Sequence, residues 1–181
     1  MKHILNDTRA FSFLGATSQQ QFADLIVWEI FFQKYRIDSL VELGTGRGGI
    51  SLFFLLSALQ RKFRFRTYDI TYPSEIVGTR LGERLEFWNY IRKADIFLES
   101  DKEIILEDFV HPMMLYCDNG DKPREVAEYG SQLLPGDFLA VHDFEVEIFE
   151  DEIPSRFSPI LLDTCEKLGC LTRFYEVPIP F

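Results

Sequence analysis

Apolar and polar positions follow two periods along this chain, and the period switches at short intervals. Residues 22–35, FADLIVWEIFFQKY, are strongly apolar with polar breaks and predict a helix. Residues 38–44, DSLVELG, predict a short buried strand ended by glycine, and residues 48–60, GGISLFFLLSALQ, a helix packed on a sheet. Residues 63–70 alternate, with Phe63 and Phe65 on one side and Arg64 and Arg66 on the other, as in a half-buried strand. Helical spacing through Leu81, Leu85, Trp88 and Ile91 predicts a helix over 79–94. Strands are then expected at 95–100, 113–118 and 138–144, with helices at 103–109, 123–134 and 158–169. Residues 171–179 predict a final strand or two.

Strands alternating with helices at this spacing predict an α/β fold, a mostly parallel central sheet with helices on both faces. The last strand is expected to run antiparallel. The apolar runs SLVEL, MMLYC and FLAV suit parallel strands covered on both sides. Ligands of such sheets sit beyond the carboxyl ends of the strands. The residues placed there are those of 44–48, Asp69, Ser100, Asp101, Asp118, Asn119, His142 and Asp143.

Bulk properties narrow the partners. At 181 residues the chain is expected to form one domain, residues 1–181. A formal net charge of −10 repels phosphate backbones, which argues against nucleic acid. The basic run RKFRFR, residues 61–66, is better read as the solvated face of a strand. Cys117, Cys165 and Cys170 lack metal-finger spacing and are expected as buried thiols. The first ten residues lack the apolar core of a signal peptide, and the apolar run at 50–56 is too short for a bilayer. A cytoplasmic protein without a membrane partner is therefore expected.

The segment VELGTGRGG, residues 41–49, fits two cofactor templates. Gly44, Gly46 and Gly49 satisfy the dinucleotide spacing G-x-G-x-x-G. Glu42, Gly44, Gly46 and Gly48, with Thr45 inside the turn, satisfy an acidic-x-G-x-G-x-G pattern. Pyrophosphate binds at a helix N-terminus, where free N–H groups attract anions, and a nearby carboxylate opposes it. S-adenosylmethionine carries a sulfonium and an amine instead, so Glu42 tilts the choice toward that cofactor. Asp69, at the end of the second strand, suits ribose hydroxyls in either template. A nicotinamide-dependent oxidoreductase and a non-catalytic nucleoside-binding module remain as rivals.

The segments VELGTGRGG, TYDI and LLPGDFLAVHDF resemble motifs of class I S-adenosylmethionine-dependent methyltransferases. Over residues 13–144 the chain is most similar to the cephalosporin hydroxylase and rhamnosyl O-methyltransferase group. The resemblance implies a Rossmann-like methyltransferase fold and O-methylation of a small-molecule hydroxyl, on a sugar or natural product. It places Glu42, Gly44 and Gly46 at the methionine end, Asp69 on the ribose and Ser100 or Asp101 near adenine. Asp118, followed by Asn119, would lie near the methionine and the reacting centre. One departure stands out: the common D-x-x-H-S stretch reads DNGDK here, at 118–122.

Asp118 and Asp143 are expected to end adjacent strands, where paired carboxylates could hold a Mg²⁺-like ion. His142 is a candidate general base. In a regular strand His142 and Asp143 would leave on opposite faces, so both serve one site only if the strand has already ended. The acidic run at 145–152 reads as a solvated face or a wall beside the site.

Overall fold

The computed structural model describes residues 11–73 and 80–180. Among them, seven strands form one sheet in the order β5-β4-β3-β6-β7-β9-β8. These are β3 (Ser39–Leu43), β4 (Arg64–Asp69), β5 (Ile91–Lys93), β6 (Met113–Cys117), β7 (Phe138–Val141), β8 (Ser158–Ile160) and β9 (Arg173–Glu176). The first five are mutually parallel, whereas β9 runs antiparallel to β7 and β8 antiparallel to β9. The antiparallel C-terminal strand is thus present. A separate hairpin of β1 (Phe11–Phe13) and β2 (Ala16–Ser18) precedes the sheet.

Among the described residues six α-helices accompany the strands: α1 (Phe22–Lys34), α2 (Gly49–Arg61), α3 (Arg80–Arg84), α4 (Glu99–Leu106), α5 (Lys122–Tyr129) and α6 (Leu162–Leu168). Successive strand residues go to opposite faces, which splits the apolar core in two. Leu40, Met114, Tyr116 and Phe174 pack with Trp28, Phe31 and Phe54 of α1 and α2. Val41, Leu115, Leu139 and Tyr175 pack with Ile105, Val126 and Tyr129 of α4 and α5. Trp28 anchors the first layer, its ring edge-on to Phe54 at 4.6 Å and to Phe174 at 4.7 Å. Phe54 is core, as its helical pattern implies, but Trp88 is 42 % exposed and is not.

Two expected elements give way. The helix predicted over 79–94, whose Thr79 lies outside the described residues, stops after α3. Glu86 turns left-handed (φ 49°), and Ile91 pairs with Thr67 to extend the sheet edge. That pairing satisfies a backbone row on β4 that helical spacing ignores. The strand expected at 95–100 is consequently absent. Asp95 accepts the Phe97 N–H and Asp101 accepts the Asp95 N–H, which folds this stretch into the start of α4. Residues 158–160, expected as helix, pair with β9 instead, and Gly169 (φ 68°) closes α6.

A carboxylate fixes the start of the two central strands on the site's far side. Asp137 is buried and accepts the Met113 N–H (2.9 Å) and the Leu134 N–H (2.6 Å), with His111 Nδ1 at 2.5 Å. Asp137→Asn keeps one acceptor and loses the other, so a loss of about 1–2 kcal/mol in denaturant unfolding is expected. An unchanged midpoint would show that these contacts do not hold β6 and β7 together. No helix among the described residues is long and apolar enough to cross a membrane.

Candidate functional site

β3 pairs with β4 on one side and β6 on the other, so the chain reverses its direction of sheet growth at β3. A crevice opens beyond the carboxyl ends at such a point. Here it is a cleft of about 330 Å³. Gly44, Thr45, Gly46 and Gly48 form one wall, Asp69 sits at one end, and Asp118, Asn119, His142 and Asp143 form the other side.

The glycine turn has specific causes. Gly44 (φ 100°) donates its N–H to the Tyr68 carbonyl at 2.8 Å as the chain leaves β3. Gly48 (φ 83°) is the N-cap of α2 and donates to the Thr45 carbonyl at 2.9 Å. The Thr45 and Thr67 hydroxyls share a hydrogen bond of 2.6 Å beneath the turn. Asp69 accepts the Gly46 N–H at 2.9 Å, joining the end of β4 to the loop.

Three sequence-derived site residues lie outside the cleft lining. Ser100 and Asp101 occupy the first turn of α4, because the strand that would have carried them to the sheet tip does not form. Glu42 points into the layer beneath the loop, fully buried, with neither carboxyl oxygen hydrogen-bonded. Burial is the main cause that pushes its pKa up to about 8; the Ser51 and Thr67 hydroxyls oppose this, and Asp118 and Asp69 add to it. At neutral pH it is therefore a neutral acid in the free protein. The sequence pattern sets it as an anion facing a cation, whereas burial in the free protein favours the neutral acid.

His142 and Asp143 do share a site. β7 ends at Val141, and Asp143 adopts φ 53°, which brings both side chains to the same side. His142 Nδ1 lies 3.1 Å from Asp118 Oδ1 and 3.2 Å from Asp143 Oδ2. The ring is 97 % buried, and neither of its nitrogens makes a well-directed hydrogen bond. Burial opposes its protonation, but Asp118, Asp143 and Asp24 outweigh burial and hold its pKa well above the ordinary imidazole range. Without a cation beside it, these carboxylates favour the protonated ring. The His142 ring in turn holds the Asp143 carboxyl below its ordinary value.

Several cleft residues carried no recognisable signal. The β1–β2 hairpin and the turn after it bring Thr17, Gln19 and Gln20 to the cleft. Gln20 donates to Asp118 Oδ2, as does the Tyr116 hydroxyl at 3.2 Å, and Gln20 accepts from Ser18 at 2.7 Å. These contacts aim Asp118 and leave Oδ1 toward His142. Lys122, from the departing DNGDK stretch, is buried and holds Glu147 at 2.5 Å and the Asn119 carbonyl at 2.9 Å. Glu147 gives the acidic run at 145–152 one residue on the cleft wall, while most of the run is exposed.

Three ligand atoms, one each from Asp118, His142 and Asp143, lie within 4.8 Å of one another. A buried imidazole without directed hydrogen bonds, set between two carboxylates, suits a divalent cation.

No family model and no curated protein matches the sequence. Solved structures do match the fold. A CmcI structure with S-adenosylhomocysteine (SAH) superposes with a TM-score of 0.66 at 16% identity, covering 94% of this chain and 84% of that one. A CmcI structure with Mg-SAM gives 0.56 at 16% identity, covering 74% of this chain; the match spans only 57% of that chain. An RNA methyltransferase from Salinibacter ruber, in complex with S-adenosyl-L-homocysteine, gives 0.50 at 18% identity, covering 86% of this chain and 93% of that one.

Proposed function

We propose that this chain, which has the Rossmann-like fold of class I S-adenosylmethionine-dependent methyltransferases, binds S-adenosylmethionine and methylates a small-molecule hydroxyl. One observation carries the reading: a single cleft joins the glycine turn, a strand-end carboxylate and an acid–imidazole cluster. The turn at 44–48 would take the methionine end, with Asp69 on the ribose hydroxyls and Asp118 and Asn119 toward the sulfonium. The acceptor would enter beside Asp118, His142 and Asp143. The net charge of −10 weighs against an RNA acceptor and favours a small one.

Methyl transfer asks for alignment more than for covalent help. The acceptor oxygen forms the new C–O bond as the C–S pair returns to sulfur, and the acceptor's proton must leave. Asp143, the more accessible acid of the cluster, would receive it. A bound divalent cation would lower the pKa of the hydroxyl and orient it. Holding donor and acceptor in line accounts for most of the acceleration.

Titration with S-adenosylmethionine tests the first step. Asp69→Ala removes the acceptor of the Gly46 N–H and the proposed ribose contact. It is expected to weaken binding by roughly 10- to 100-fold, the worth of a charged hydrogen bond, with little change in melting temperature. Absence of binding to the parent protein at millimolar cofactor would sink the reading. Release of SAH with a hydroxylated acceptor, and none with RNA, would support the substrate class.

A further inference from the structure

We infer that His142 is a nitrogen ligand in a mixed site, Asp118 Oδ1, His142 Nδ1 and Asp143 Oδ2, suited to a transition-metal dication such as Co²⁺ or Zn²⁺ in preference to Mg²⁺. The inference rests on the proposed function for the ion's use beside the acceptor, and on these side chains alone for its binding.

The two spacings that involve the imidazole fit a coordination shell, and all three ligand atoms lie within 4.8 Å of one another. With metal–nitrogen and metal–oxygen bonds of about 2.1 Å, ligand atoms at right angles lie about 3.0 Å apart and tetrahedral ones about 3.4 Å. The two edges that share Nδ1 measure 3.1 and 3.2 Å. Ordinary hydrogen bonds would also be that long, but the ring's N–H direction satisfies neither carboxylate.

The far side of the ring selects the tautomer. Asp24 Oδ2 stands 3.9 Å from His142 Nε2, beyond hydrogen-bond length yet close enough to favour a proton there. That leaves the Nδ1 lone pair facing Asp118 and Asp143. Asp24 cannot readily turn away. It accepts from the Gln21 N–H at 2.8 Å, the Cys170 thiol at 2.8 Å, and the Thr172 N–H and hydroxyl at 3.1 and 2.7 Å. A carboxylate behind a ligating imidazole is the usual arrangement around a bound metal.

Charge leaves room for the ion. Asp24, Asp118 and Asp143 surround the ring, and Lys122 supplies one ammonium, already held by Glu147 and 3.5 Å from Asp143 Oδ2. With the ring neutral, negative charge stays in excess, and a dication reduces it. An imidazole among three ligands disfavours Mg²⁺, which prefers oxygen, relative to Co²⁺ or Zn²⁺.

Mn²⁺ bound to the full chain and examined by electron spin-echo envelope modulation is expected to show a ¹⁴N coupling that is lost in His142→Glu. Calorimetric titration with Co²⁺ and Mg²⁺ should give a ratio of affinities that falls at least tenfold in that variant, which restores an all-oxygen set. No nitrogen coupling, an unchanged ratio, or no Co²⁺ binding at 1 mM would each overturn the inference. Should His142→Glu fail to fold, the coupling in the parent protein decides alone. S-adenosylmethionine titrated alongside separates the two readings: cofactor binding without metal removes only this inference, and metal with nitrogen coupling but no cofactor supports it while removing the proposed function.

Discussion

Gly44→Ala is expected to abolish cofactor binding and to cost about 2–5 kcal/mol of folding stability, the sum of left-handed strain and overpacking against fixed atoms. A β-carbon at this position would lie 2.5 Å from the Asp118 carbonyl oxygen, 2.7 Å from its carbon and 2.8 Å from the Asn119 nitrogen. These are backbone atoms of the chain leaving β6, which donates its Asp118 N–H to the Leu43 carbonyl at 2.9 Å. Neither strand end can yield without breaking that pairing. The same displacement moves Asp118 and Asn119, which line the cleft. Gly120 serves as the control, whereas Gly46 (φ 53°) is itself left-handed. At Gly46 the added carbon meets only the flexible end of Gln19, and at Gly120 it meets nothing within 4 Å. Gly120→Ala should therefore leave the denaturant midpoint nearly unchanged. Equal losses at Gly44 and Gly120 would show that the close approach of β3 and β6 is not what demands glycine.

The second large effect is a pH dependence carried by Glu42. Its carboxyl rises from an ordinary 4.5 to about 8 on folding, chiefly through burial. Between these values the native state holds a proton that the unfolded chain has released. Its contribution to stability is therefore complete below about pH 4.5 and declines as pH rises, until it is lost above about pH 8. Glu42→Gln replaces the neutral acid by a neutral amide and removes the decline. Stability of the variant relative to the parent should climb by roughly 1.4 kcal/mol per pH unit across that window, on the order of 5 kcal/mol in all. Glu125 is raised to about 8 as well, again mainly by burial, so the variant itself should keep part of the slope. A variant–parent difference that is flat from pH 5 to 8 would mean that Glu42 remains an anion beneath the loop.

Much of this architecture was legible because burial writes itself into local patterns. SLVEL and MMLYC became β3 and β6 within a residue of the expected bounds, and FLAV became β7, which stops three residues before the expected end at 144, since strands covered on both faces must be apolar throughout. The glycine turn was legible for a similar reason, as few other residues accept left-handed backbone at three positions so close together. The β1–β2 hairpin was not. Its strands are three residues each, too short to establish a period, and its Gln20 contact with Asp118 depends on a partner 98 residues away. Ser100 and Asp101 were misplaced because β5 formed at 91–93, where pairing with β4 outweighed helical spacing.

The sequence by itself determined the alternation of layers, the position of the glycine turn and the set of acidic residues near the strand tips. Only the tertiary structure decided their chemical states and groupings. Glu42 became a neutral acid because folding removed water from both its oxygens. His142 and Asp143, adjacent and nominally on opposite faces, converged because β7 stops at Val141 and the backbone turns at Asp143. Asp24 and Lys122 joined them from separate helices. Local order follows from the period of side chains along one segment, whereas charge state and ligand geometry follow from distances between segments, which folding alone sets.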